Sequence, residues 1–441
     1  MAVKSGILAV LLLILIPGCA KRASHEPVVL TFLDVEWDSA VPSPDLAQDL
    51  QDFTRETGVQ VRRLPAPDGS LNQLALWREL LRKGTGTPDV CSIDVIWPGI
   101  LSQYLMDLKP HFAKELAYQN PDVLGSYTLG DKLVAIPRHA YIGVLFYHDD
   151  LLRRYRYREP PRTWDELERM STRIQSGELA RGQKDFWGYS WPGAAGEDLT
   201  CGGLEWQVSQ GGGRIIEDDK TISVNNPWAI QSWQRAARWV GTISPPGVLA
   251  YGKRDSENAF SSGKAAFLHG WVAGYTLING TQLLFGVNRV GVTSPPAGTE
   301  GRVSTLGGNG LAVSRASAHP REALELIRFL LRREIRLLRN EVHMEPPSVF
   351  QIFELPLALE PYPQLARLTQ HGSRLVARPS VAAGEKYEEV SRAYIRTVHG
   401  VLAGEQTAAP AAANLERELA QITGFRRGSP PAASPDRGHI H

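Results

Sequence analysis

Apolar positions along this chain alternate between short continuous runs and helix-spaced patterns. Val28 to Leu33 is apolar, rich in β-branched residues and of strand length, whereas Leu46 to Thr57 places apolar residues at helical spacing. Gly58 ends that helix, Val59 to Leu64 predicts a second strand, and Leu71 to Arg82 predicts a second helix closed by Gly84 and Gly86. Asp89 to Trp97 is strand-like again. Such alternation builds a mostly parallel sheet with its ligand crevice at the carboxyl ends of the strands, near Asp94 and Trp97. Leu133 to Pro137 and Val144 to Tyr147 predict two short strands, with residues 138–143 as a crossing segment between two bodies. Thr163 and Glu166 predict a capping box opening a helix to about Ser176. Further helices are expected over Trp228 to Val240 and Pro320 to Arg339, and Gly211-Gly212-Gly213 is expected to be a helix C-terminal turn. The Pro-, Gly-, Arg- and Ser-rich stretch from Arg426 to His441 predicts a disordered tail.

At 441 residues the chain exceeds what one core usually organises, so two compact bodies are expected. Hydrophobic residues at 43% and charged residues at 22% exclude a multi-span membrane protein. A formal net charge of +1 with dispersed Lys and Arg gives no footprint for nucleic acid.

The N-terminus carries Lys4, an apolar run from Ile7 to Ile16, and the turn-forming Pro17-Gly18 before Cys19. The run is too short for a bilayer span, which needs about 20 apolar residues, and fits an export signal. Leu15-Ile16-Pro17-Gly18-Cys19 resembles the lipobox of bacterial lipoproteins, although Pro17 replaces the usual small residue; the alternative is an ordinary signal peptide with an incidental cysteine. The resemblance implies a signal peptide over 1–18, lipidation of Cys19, and a tether over 19–27. Cys91 and Cys201 fall in segments assigned to different bodies, so buried free thiols are expected, and no zinc-site spacing surrounds them.

The 11 tryptophans point to binding, because indole faces stack on sugar rings while flanking polar groups orient the hydroxyls. Trp97, Trp187, Trp191, Trp206 and Trp271 are the candidates, each weighed against a packing role. Enzyme motifs are missing: no Gly-x-Ser-x-Gly elbow, no His-Glu-x-x-His helix and no phosphate loop. Glu36, Asp38, Asp94 and Glu197 leave a glycosidase carboxylate pair as a minor alternative.

Taken in order, the segments Pro88 to Trp97, Ile136-Pro137 through Gly143 to Tyr147, Asp150-Leu151-Leu152 and Pro161 to Leu167 resemble the extracellular solute-binding proteins of bacterial carbohydrate ABC importers. Phe260 to Phe267 with Trp271, Thr305 to Gly310, Arg378-Pro379 and Val401 to Gly404 extend the likeness, which is greatest to the trehalose/maltose-binding branch and covers most of the chain. The resemblance implies an α/β, two-lobe periplasmic-binding-protein type II fold, each lobe a mixed sheet flanked by helices. Lobe one would be 28–137 plus about 303–342; lobe two, 138–302 plus about 344–424; the tail, 425–441. It implies high-affinity capture of a di- or oligosaccharide outside the cytoplasm by a non-enzymatic, cofactor-free monomer. Delivery would be to permease subunits served by a cytoplasmic ATPase. A glycan-degrading enzyme and a lipoprotein feeding a sensor are the alternatives.

Carried over residue by residue, Asp94 matches an acidic contact, Trp271 the stacking tryptophan and Arg378 a sugar-binding arginine. Glu36 and Gln73 match further polar contacts, and Gly308 belongs to the Leu-Gly-Gly run. Asp94 could instead cap a helix, Arg378 pair with a structural carboxylate, and His139 serve in packing. His139 and Tyr141 stand where the family often has an aromatic residue and then Asp, and Asn309 where some members have tryptophan. One carboxylate and one stacking face are thereby lost, so trehalose itself does not follow.

Overall fold

The computed structural model describes residues 27–35, 44–67, 70–117, 119–274, 278, 290–340, 368 and 372–431. Cys19, Glu36 and Asp38, with the expected signal segment and most of the tether, lie outside them, as do tail residues 432–441.

The strands of the main sheet are β1 (Val29–Leu33), β2 (Gln60–Leu64), β3 (Val90–Asp94), β4 (Ile136–His148), β5 (Trp187–Ser190), β6 (Ala265–Trp271), β7 (Val290–Thr293), β8 (Val303–Val313) and β9 (Arg374–Val376). The helices that matter below are α1 (Pro44–Thr57), α2 (Ser70–Lys83), α3 (Pro98–Leu101), α4 (Trp164–Ala180), α5 (Glu197–Ser209), α6 (Pro227–Trp239), α7 (Lys253–Ser261), α8 (Pro320–Asn340), α9 (Ser380–Ala383), α10 (Tyr387–Leu402) and α11 (Ala408–Thr423). Strand order is β2-β1-β3-β8-β4-β6-β5, with β9 beside β8 and β7 beside β4. The β1–β2, β1–β3, β5–β6 and β8–β9 pairs are parallel, and β8 and β4 are antiparallel to their other neighbours.

Two strands tie the sheet together. β8 pairs its residues 309–313 with β3 and 306–311 with β4. β4 pairs its first half with β8 and its second, from Gly143, with β6 and β7. Residues 138–143 are therefore strand interior, which corrects the expected pair of short strands to one continuous strand. Their polar His139 and Tyr141 break the apolar run but keep extended backbone, because they pair in register with Asn309 and Gly307 of β8.

Local sequence accounts for most element ends. Gly58 takes φ +76° and donates its N–H to Thr54 O, closing α1. Thr163 Oγ1 accepts the Glu166 N–H at 3.2 Å, while Glu166 Oε2 accepts from Arg162 N–H at 2.7 Å, one residue before the cap. The box is thus offset by a residue, and α4 runs on to Ala180. Asn226 Oδ1 accepts the N–H groups of Trp228 and Ala229 and starts α6. β3 stops at Asp94, and Trp97 is the N-cap of α3. The first tail residues are ordered: Gly428 N–H donates to Ile222 O, and Arg426 Nε donates to Thr221 Oγ1.

Indoles form much of the core. Trp191 lies edge-on to Trp206 at 5.2 Å, and Trp206 edge-on to Trp239 at 5.5 Å, with Trp164 and Tyr189 against the same ring. Trp77 and Trp97 form a second edge-to-face pair at 5.6 Å. Trp97, Trp191 and Trp206 are buried packing residues, so their candidacy as sugar-stacking faces is withdrawn. Cys91 and Cys201 are buried free thiols.

Candidate functional site

Three neighbouring strands bring Asp94, Asn309 and His139 side by side, because Asn309 is in register with Asp94 on β3 and with His139 on β4. Gly308 is required there: its φ is +126°, and a Cβ would lie 2.1 Å from His139 O. Its own carbonyl accepts the Val95 N–H at 3.0 Å. His139 stacks on Tyr141, ring centroids 6.1 Å apart, and burial followed by the charge of Arg138 holds its imidazole neutral.

Above this row sits Arg378, two residues beyond β9. Its Nη1 donates to Glu197 Oε1 at 3.0 Å, and its Nη2 is 3.9 Å from Asp94 Oδ1. Glu197 is the first residue of α5 and is held further by hydroxyls on α10: Tyr387 Oη donates to Oε1, and Ser391 Oγ donates to Oε2 at 2.6 Å. Burial opposes the charge of Arg378, but Cys201, Tyr387, Glu197 and Asp94 more than offset it. Asp94 is 4% exposed, and burial pushes its carboxyl up to about 6 despite Arg378 and the Ile96 N–H. Nearby Glu197 and Asp198 push in the same direction as burial. Asn309 Oδ1, Tyr127 Oη and Arg378 Nε are buried without a hydrogen-bond partner among the described residues.

Trp271 ends β6 and keeps part of its surface exposed. Its Nε1–H donates to Asp198 Oδ1 at 3.0 Å, and the six-membered ring lies against Gly307, where a Cβ would come within 2.8 Å of Cζ3. Below, Glu205 is fully buried; it accepts the Thr305 N–H at 2.7 Å and pairs with His269 Nε2 at 2.6 Å. Glu197, Cys201 and Glu205 follow i, i+4, i+8 spacing on α5, so one helix face carries both the upper and the buried carboxylate.

Of the residues singled out by sequence, Asp94, His139, Tyr141, Trp271, Gly308, Asn309 and Arg378 fall in this cluster. Gln73 is buried on α2, one turn before Trp77, which donates to Ser92 O on β3. Trp187 is elsewhere: it pairs with Ala265, six residues down β6 from Trp271, or about 20 Å along a strand. It lines a separate cavity of about 250 Å³ with Asp185, Tyr251 and Lys264. Asp198, Tyr387, Ser391, Glu205 and Tyr127 were missed. They come from segments far apart in sequence with no motif around them; Glu197, next to Asp198, enters the sequence reading as a member of the glycosidase alternative. Arg378 does pair with a carboxylate, and Asp94 accepts a turn N–H from Ile96 at 3.2 Å.

The chemistry on offer is hydrogen bonding and stacking. Burial pushes the Cys91 thiol up to about 12 and raises Cys201, so neither is a nucleophile at neutral pH. No group of three or more His, Cys, Asp or Glu residues among the described residues could hold a metal ion. No helix among them is long and apolar enough to cross a membrane.

Residues 39–336 match the family described as bacterial extracellular solute-binding protein. A probable ABC transporter-binding protein of Deinococcus radiodurans is 36% identical over 376 residues, covering 84% of this chain and 89% of its own length. Among solved structures, maltose-bound MalE3 of T. maritima superposes with a TM-score of 0.77 at 28% identity, covering 90% of this chain and 100% of that one. The GacH receptor of Streptomyces glaucescens has a TM-score of 0.76 at 20% identity, covering 91% and 99%, a likeness of fold.

Proposed function

This chain belongs to the bacterial extracellular solute-binding protein family, and we propose that within it the chain binds a sugar outside the cytoplasm and presents it to the permease of an ABC importer. The observation that carries the reading is the partly exposed Trp271 face, oriented by Asp198 and set beside the Asp94–Arg378–Glu197 cluster. An indole plane next to convergent, buried hydrogen-bonding groups suits a ring that is apolar on its faces and hydroxylated at its rim. The maltose named for the T. maritima relative makes a di- or oligosaccharide the first class to test. The chain acts by binding alone, with no bond-making step.

Two lobes, 28–137 with about 303–342 and 138–302 with about 344–424, would close on the ligand around the long strands β4 and β8. Closure excludes water from the sugar hydroxyls and creates the form a permease recognises. Cys19 would be acylated after removal of residues 1–18, holding the monomer at the membrane. A thermal-shift screen against mono- and disaccharides tests the binding reading, since a ligand of the folded state raises its melting temperature. Small-angle scattering with the bound sugar should show a smaller radius of gyration, and an unchanged radius at saturation argues against closure. Intact-mass analysis of membrane extracts should show a lipid adduct on a chain starting at Cys19; a cut elsewhere removes the anchor.

A further inference from the structure

We propose that this site selects its sugar by charge, admitting uncharged sugars and rejecting phosphorylated or uronic ones. The inference rests on the sugar reading above and names the ligand class for the same residues. Two carboxylates, Asp94 and Glu197, converge there on one guanidinium, Arg378, and a third, Asp198, bonds Trp271 and adds its negative charge beside Asp94. That guanidinium is already engaged, 3.0 Å from Glu197 and 3.9 Å from Asp94. The next cation, Arg138, is drawn to Asp34 at 3.8 Å, and His139 is neutral. His269, beneath Trp271, is already matched by Glu205. Among the described residues, an incoming phosphate or carboxylate would therefore meet a surplus of negative charge with no further cation at the site to answer it.

A neutral polyol meets no such penalty. Its hydroxyls can donate to Asn309 Oδ1 and the carboxylates and accept from Arg378 Nε or Tyr127 Oη, the buried groups without partners among the described residues. Asp198 offers the cleanest handle. Its Oδ1 accepts from Trp271 Nε1, and an amide oxygen in Asp198→Asn can accept the same bond, so the indole keeps its place while one charge is removed.

The test titrates the full-length chain at pH 7.5 with a panel of mono- and disaccharides, including glucose, maltose and trehalose each beside its 6-phosphate. A neutral sugar should bind, and its phosphate should bind more weakly by about 100-fold or more. In Asp198→Asn that ratio should narrow by about tenfold with the melting temperature of the free chain unchanged. A phosphate held as tightly as its parent overturns charge selection and leaves sugar capture standing. A ratio unmoved in Asp198→Asn overturns the role given to the carboxylates. A panel in which no sugar of either series binds overturns the sugar reading, and this inference with it.

Discussion

Replacing Asp94 by asparagine should make the protein more stable at neutral pH while weakening its hold on ligand. The carboxyl is buried; the described contacts bring it one turn N–H, from Ile96 at 3.2 Å, and one cation at 3.9 Å that Glu197 already shares. Burial outweighs both and moves the carboxyl from an ordinary 3.8 to about 6. That displacement corresponds to a folding cost on the order of 3 kcal/mol for the ionised form. The raised value means that the folded chain keeps a proton the unfolded chain has lost between about pH 4 and 6. Stability should therefore fall as pH rises through that window and level off above it. Asp94→Asn keeps the size and removes the titration. Its stability relative to the parent should be near zero at pH 4 and grow to as much as about 3 kcal/mol at pH 7. Affinity for the sugar found by screening should fall by on the order of 1.5–3 kcal/mol, since a charged acceptor is lost. Urea unfolding of both proteins from pH 4 to 7.5, with calorimetric titration at pH 7, reads both quantities. A variant less stable than the parent at pH 7, or a stability difference independent of pH, would refute the reasoning.

Trp271→Ala should cost roughly 2 kcal/mol or more of binding with little change in melting, because the indole is partly exposed; a collapsed melting temperature would assign it to packing. Gly307→Ala puts a methyl within 2.8 Å of that ring, so affinity should fall without loss of fold, as titration and circular dichroism can check. Trp206→Ala should destabilise by about 3–5 kcal/mol in denaturant, and unchanged stability would contradict its place in the core. Glu205→Ala leaves His269 and the Thr305 N–H buried without this partner and should cost about 3–5 kcal/mol, whereas a neutral result would mean the pair is dispensable.

Period and punctuation in the sequence located β1, β2, α1, α2, α4, α6 and α8 to within a few residues. Their apolar patterns and their Gly, Thr and Asn ends depend on neighbours only a few positions away. The ordered motif series likewise pointed to the solute-binding family. That β4 runs unbroken through residues 138–143 was not legible, for the opposite reason: the extended backbone there is imposed by partners on β8 and, at Gly143, on β6, more than a hundred residues downstream. The tryptophans show the same division. Composition made them look like binding faces, yet only three-dimensional packing separates buried Trp97, Trp191 and Trp206 from the partly exposed Trp271. Asp94, Trp271 and Arg378 could be picked out by their matched motifs. Asp198, which accepts from Trp271, and Tyr387, which donates to Glu197, could not, nor could the buried Glu205, since a side chain's partner is set by strand register and helix docking across long loops, and no local spacing records it.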